Sequence, residues 1–100
     1  MFPENEHKQV INGKIYSTEK ADMVAHNSFW DGRNFERNGR NQFLYKTEKG
    51  NFFLFTMTMW QGELDRIVPL TKDEAKETWE ELPEQEMEYF AAFGEKPEEA

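Results

Sequence analysis

The stretch "FLYKTEKGNFFLF", residues 43–55, constrains the fold of this chain more than any other. Phe43 and Tyr45 alternate with Leu44 and Lys46. After a turn containing Gly50, "FFLFTMTMW" sets Phe53, Phe55, Met57 and Met59 against Leu54, Thr56, Thr58 and Trp60. A period of two sends successive side chains to opposite faces of a strand, so two such runs joined by a short polar turn predict an antiparallel hairpin. "QGE" turns the chain again. "LDRIVPL" predicts a third strand, with Pro69 near its end or on a sheet edge, where a missing N–H is tolerated.

The remaining elements follow from caps and turns. Asn12-Gly13 predicts a small hairpin, or a turn feeding a strand at 14–16, because both residue types accept positive φ. "STEKADMVAHN", residues 17–27, reads as a helix. Ser17 or Thr18 would cap it, Ala21, Val24, Ala25 and Ser28 would form a face of mostly small residues, and Asn27 would end it. Phe29 and Trp30 then offer two rings to the core. In "LTKDEAKETWEELP", Thr71 and Glu74 have the spacing of a capping box, and Ala75, Trp79 and Leu82 share one helical face. Pro83 stops that helix. "EQEMEYFAAFG" predicts a second short helix with Met87, Phe90, Ala91 and Phe93 on its apolar side and Gly94 as its stop. The predicted order is β-α-β-β-β-α-α. The expected class is α+β, with a small antiparallel sheet of three to four strands and two to three helices packed on one face. One domain over residues 1–100 is expected, with an ordered core at about 10–94 between polar ends.

Composition narrows the function. The formal net charge is −8, and it is unevenly placed. Residues 1–50 carry eight Lys and Arg against seven Asp and Glu, whereas residues 51–100 carry four against thirteen. A body this acidic repels phosphate backbones, so direct binding to nucleic acid is not favoured. There is no cysteine, which excludes disulfides and Cys-ligated zinc. "MFPENEHKQ" lacks the basic start and apolar run of a signal peptide, and no apolar run has the length of a membrane span. A cytoplasmic protein with no membrane role is the expectation.

Two charge features stand out. "WDGRNFERNGRNQF", residues 30–43, sets Arg33, Arg37 and Arg40 among Gly and Asn, with Phe35 available to stack on a ring. Its ordinary reading is a solvated loop. Its functional reading is a contact with phosphate or with an acidic partner, diluted by Asp31 and Glu36. The second feature is the acidic C-terminal part. Glu77, Glu80, Glu81, Glu84 and Glu88 would project carboxylates in a row able to occupy a basic groove. Charge runs are commonly just the wet face of amphipathic helices. Asp22 and His26 stand four apart on the expected helix, but a metal site needs three or four ligands and no third is evident. No P-loop, dinucleotide or zincin motif is present, so no enzyme activity, cofactor or metal is expected. Trp60, Trp79, Tyr89 and Phe93 are expected in the core.

"NGKIYSTEKADMVA", "FLYKTEKGNFFLF" and "IVPLTKDEAKETWEE" together resemble a pattern in small proteins of bacteriophages and other mobile elements. The resemblance spans roughly residues 12–82. It departs at 57–64, where those relatives carry a longer Gly-rich insert and this chain has only "MTMWQGEL". Its matching elements are structural, so it speaks to fold before function. By analogy it implies a small acidic inhibitor of host defence, of the anti-CRISPR kind. The function expected on these grounds is non-enzymatic protein binding to a host protein or ribonucleoprotein complex that handles nucleic acid. The acidic helices would make the main contact, and the arginine loop a second. The alternatives are an accessory nucleic-acid-associated protein using Arg33, Arg37 and Arg40, and a small ligand-binding protein or hydrolase near His26. A homodimer through a sheet edge also fits the sequence.

Overall fold

The alternating run at 43–58 folds as the hairpin its period requires. In the computed structural model, which describes residues 6–27, 40–58 and 65–100, its strands are β4 (Arg40–Lys46) and β5 (Phe52–Thr58). The other elements are β1 (Lys8–Ile11), β2 (Lys14–Ser17), β3 (Asp22–His26), β6 (Arg66–Leu70), α1 (Lys72–Glu81), β7 (Glu84–Gln85) and α2 (Tyr89–Phe93). Five strands form one antiparallel sheet in the order β6-β5-β4-β3-β7, and β1 pairs with β2 in a separate hairpin. The expected three to four strands with two to three helices, in the order β-α-β-β-β-α-α, are therefore corrected. Among the described residues there are seven strands in two sheets and only two short helices.

The largest correction is at residues 17–27, where the expected helix is replaced by the strand β3. The reason is a bulge. Met23 pairs with Tyr45 and Ala25 pairs with Leu44, so the register shifts between them at Val24. Val24 and Ala25 then both face the helical side of the sheet, among Leu44, Phe52 and Ala75. Met23 faces the opposite side. An extra residue in one strand breaks the period of two, and consecutive inward residues imitate helical spacing. The Val24 carbonyl accepts from the N–H groups of both Glu86 (2.9 Å) and Met87 (3.0 Å), which ties the segment after β7 to the bulge. Ser17 and Thr18, expected as a cap, instead clasp the segment before β1. The Thr18 N–H donates to the His7 carbonyl, the His7 N–H donates to Thr18 Oγ1, and Ser17 Oγ donates to Glu6 at 2.6 Å.

Both faces of the large sheet are covered. On one, Val24, Ala25, Leu44 and Phe52 pack with Ala75, Leu82, Ala92 and Phe93 of the helical segment. On the other, Phe43, Tyr45, Phe53 and Phe55 pack with Tyr16 and Ile11 of the β1–β2 hairpin and with Ile67. The hairpin turns at Asn12 (φ 52°) and Gly13 (φ 76°), the two positive-φ positions that a two-residue turn matched to strand twist requires. Helix α1 starts as its sequence predicts. Glu74 N–H donates to Thr71 Oγ1, and Thr71 N–H donates to the Glu74 carboxylate. The second helix is shorter than expected. Glu84 and Gln85 pair with His26 and Ala25 as β7, and only Tyr89–Phe93 are helical.

Candidate protein-binding surface

The chain from α1 through β7 to α2 carries a series of exposed carboxylates, an acidic strip along the sequence of these elements. Glu77, Glu80 and Glu81 are exposed on α1, Glu84 on β7, and Glu88 at the N-cap of α2. The strip is held by apolar and polar contacts behind it. Trp79 donates its indole N–H to the Met87 carbonyl at 3.0 Å and meets the Tyr89 ring edge-on at 5.4 Å. Phe52 and Phe93 lie 5.2 Å apart. Gln85 donates its side-chain amide to the Trp79 carbonyl. A helix end, a short strand and a second helix thus keep their carboxylates on a fixed support.

The lysines of α1 do not neutralise this strip. Lys72 lies 3.5 Å from Glu95, and Lys76 also pairs with Glu95. The hydrogen bond from Lys76 holds the Glu95 carboxyl below its ordinary range, and the same bond pushes the Lys76 ammonium up. Among the described residues, none of Glu77, Glu80, Glu81, Glu84 and Glu88 has a basic partner. Phe90 adds an apolar element beside Glu88, with 58% of its surface exposed. The sequence placed Phe90 on the buried side of the second helix. Phe93 is buried as expected, but Ala92 joins it in place of Phe90 and Ala91, with Tyr89 half-buried, and a five-residue helix has too few turns for periodicity to fix its phase. Trp79 and Tyr89 pack against the core and Phe93 is part of it, whereas Trp60 lies outside the described residues.

The other candidate residues separate from this surface. Arg33, Phe35 and Arg37 lie outside the described residues. Arg40 opens β4 opposite Thr58. Asp22 and His26 are not neighbours: on a strand, four residues span roughly 13 Å, and Asp22 pairs with Lys46 at the other end of β3. His26 is buried against Phe43, and its Nε2 lies 3.3 Å from Glu86 Oε1. Among the described residues no three His, Asp or Glu side chains gather as a metal site, and no helix is long and apolar enough to cross a membrane. On β6, an edge strand of the five-stranded sheet, Pro69 sits opposite Phe53. Proline interrupts the row of edge donors and blunts the edge as a template for strand pairing.

Comparison with protein-family models, with curated proteins and with solved structures finds no match to this chain.

Proposed function

We propose that this chain is a non-enzymatic binding protein whose acidic strip docks into a basic channel of a protein or ribonucleoprotein complex. The observation that carries this reading is the set of five exposed carboxylates on α1, β7 and the start of α2, left without basic partners among the described residues while Glu95 takes both lysines of α1. A channel that normally holds nucleic acid is lined with cations spaced for phosphates. A row of carboxylates on rigid elements presents the same sign of charge without a sugar-phosphate chain. Such a contact is steered by long-range attraction and weakens as salt rises. Phe90 supplies a ring at the rim of the strip, the residue class that anchors interfaces. The net charge of −8 disfavours competition from nucleic acid for this protein's own surface.

The partner of this proposal is a host complex that handles nucleic acid in the cytoplasm. The resemblance to mobile-element proteins supports that choice, and inhibition of a defence complex is its biological outcome. The test is functional. Cells with an active nucleic-acid-targeting defence are transformed with a targeted plasmid in the presence of the wild-type chain, or of a variant with Glu77, Glu80, Glu81, Glu84 and Glu88 all changed to Gln. Wild type rescues the plasmid and the folded variant does not. Equal rescue by the variant removes the mechanism.

A further inference from the structure

A second surface has the opposite charge. Between the β1–β2 hairpin and the β4–β5 turn lies a groove of about 460 Å³, within the range of small-molecule sites, roughly 300–1,000 Å³. Three separate segments bring lysines to it: Lys14 opens β2, Lys20 lies between β2 and β3, and Lys49 lies in the β4–β5 turn. Glu48 is the one carboxylate in its lining. Among the described residues, none of the three lysines is within ion-pair distance of a carboxylate. Lys20 does act at longer range on Glu6, whose carboxyl is held low first by the Ser17 hydroxyl and further by Lys8 and Lys20. Ile15, exposed on β2, adds apolar surface to the lining, while the neighbouring Tyr16 is buried against Phe53.

We propose that this groove binds a small phosphomonoester, with Lys14, Lys20 and Lys49 on the phosphate and the exposed Ile15 against its organic part. Cations that line one groove repel one another, and a bound anion relieves that repulsion. Lys14, Lys20 and Lys49 outnumber Glu48 and the nearby Glu6, which is bonded to Ser17 of the lining, so a positive excess remains, and a phosphomonoester carries roughly −1.5 to −2 at neutral pH. Lysine binds phosphate as a point charge on a flexible stem, so the match here is one of charge. The same field explains why the ligand is small. Within a Debye length, about 8 Å at physiological salt, a compact anion feels mainly the lysines. A long polyanion also meets the acidic rest of the molecule.

The turn that carries Lys49 is built to hold its shape. Thr47 N–H donates to the Asn51 carbonyl, Asn51 N–H donates to Thr47 Oγ1, and Gly50 N–H donates to the Thr47 carbonyl. The ligand would therefore meet a preformed rim.

The test is an amide NMR titration of the whole chain in chloride buffer. The probes are adenosine monophosphate, inorganic phosphate, adenosine, succinate and a short poly-glutamate peptide. Adenosine monophosphate is expected to give saturable shifts around Lys14, Tyr16, Lys20 and Lys49, with inorganic phosphate weaker and adenosine and succinate silent. Changing all three lysines to Gln is expected to weaken binding by roughly tenfold or more, the factor that about 1.4 kcal/mol confers. An unchanged thermal midpoint separates this loss from unfolding. Lys8→Gln, outside the groove, should bind as wild type. The proposal is overturned by an absence of saturable shifts, by equal binding of adenosine, by unchanged affinity in the triple variant, or by binding of the acidic peptide alone.

Discussion

Asn41 is fully buried on β4, yet neither its side-chain oxygen nor its nitrogen meets a hydrogen-bond partner among the described residues. A buried amide without partners costs about 1–3 kcal/mol. Asn41→Leu, of similar size and apolar, should therefore raise the unfolding free energy by about 1 kcal/mol, measured by urea denaturation. A loss of stability would mean that the amide does have a partner. Tyr45 is the other unusual single residue. It is buried and stacked 5.1 Å from Phe53, and burial pushes its hydroxyl up to about 12 from an ordinary 10.0. The folded state thus holds its proton more tightly than the unfolded state does. The stabilisation is whole below pH 10 and is lost as pH rises through about 12. Denaturation at pH 8 and pH 11 should show an alkaline loss that Tyr45→Phe reduces. The sequence placed Tyr45 correctly because its neighbours alternate. It gave no sign of Asn41, which stands between two other polar residues, Arg40 and Gln42.

At the scale of elements, local signals survived and long-range ones did not. The cap of α1 was readable because both of its hydrogen bonds lie within four residues. It also carries a prediction. Thr71→Ala should cost about 1 kcal/mol, as N-cap losses commonly do. The hydrogen bonds that Glu74 accepts from Thr71 hold its carboxyl below 4.5. Their contribution is present above that pH and lost as pH falls through the lower folded value. The wild-type advantage over Glu74→Gln should thus shrink in acid, and an advantage independent of pH would contradict a charged Glu74 in the capping box. The β4–β5 hairpin was readable for the same local reason: two apolar, partly alternating runs flank a short turn, and they pair at seven positions. The strand β3 was not, because its bulge puts Val24 and Ala25 on one face and erases the period. Nor was β7, whose two polar residues are a strand only because β3 lies beside them.

The whole molecule is electrically divided, with an acidic strip along α1, β7 and α2 and a lysine-lined groove at the β4–β5 turn. The sequence showed the excess of acid in the second half. It could not show that Glu95 would fold back onto Lys72 and Lys76 and leave Glu77, Glu80, Glu81, Glu84 and Glu88 without basic partners among the described residues, because Glu95 is far from the two lysines along the chain. Nor could it show that lysines from three segments would line one groove. The central claim is that the acidic strip is a protein-binding surface, and direct capture tests it. Tagged wild type and the five-fold Glu→Gln variant, both checked for folding, would be used to capture partners from nuclease-treated bacterial lysate, with bound proteins quantified by mass spectrometry. The account predicts one complex retained by wild type after nuclease treatment, weakened by added salt, and depleted roughly tenfold or more on the variant, as befits the loss of several steering charges. Retention of the same complex by the variant, or its loss from wild type on nuclease treatment, would contradict it.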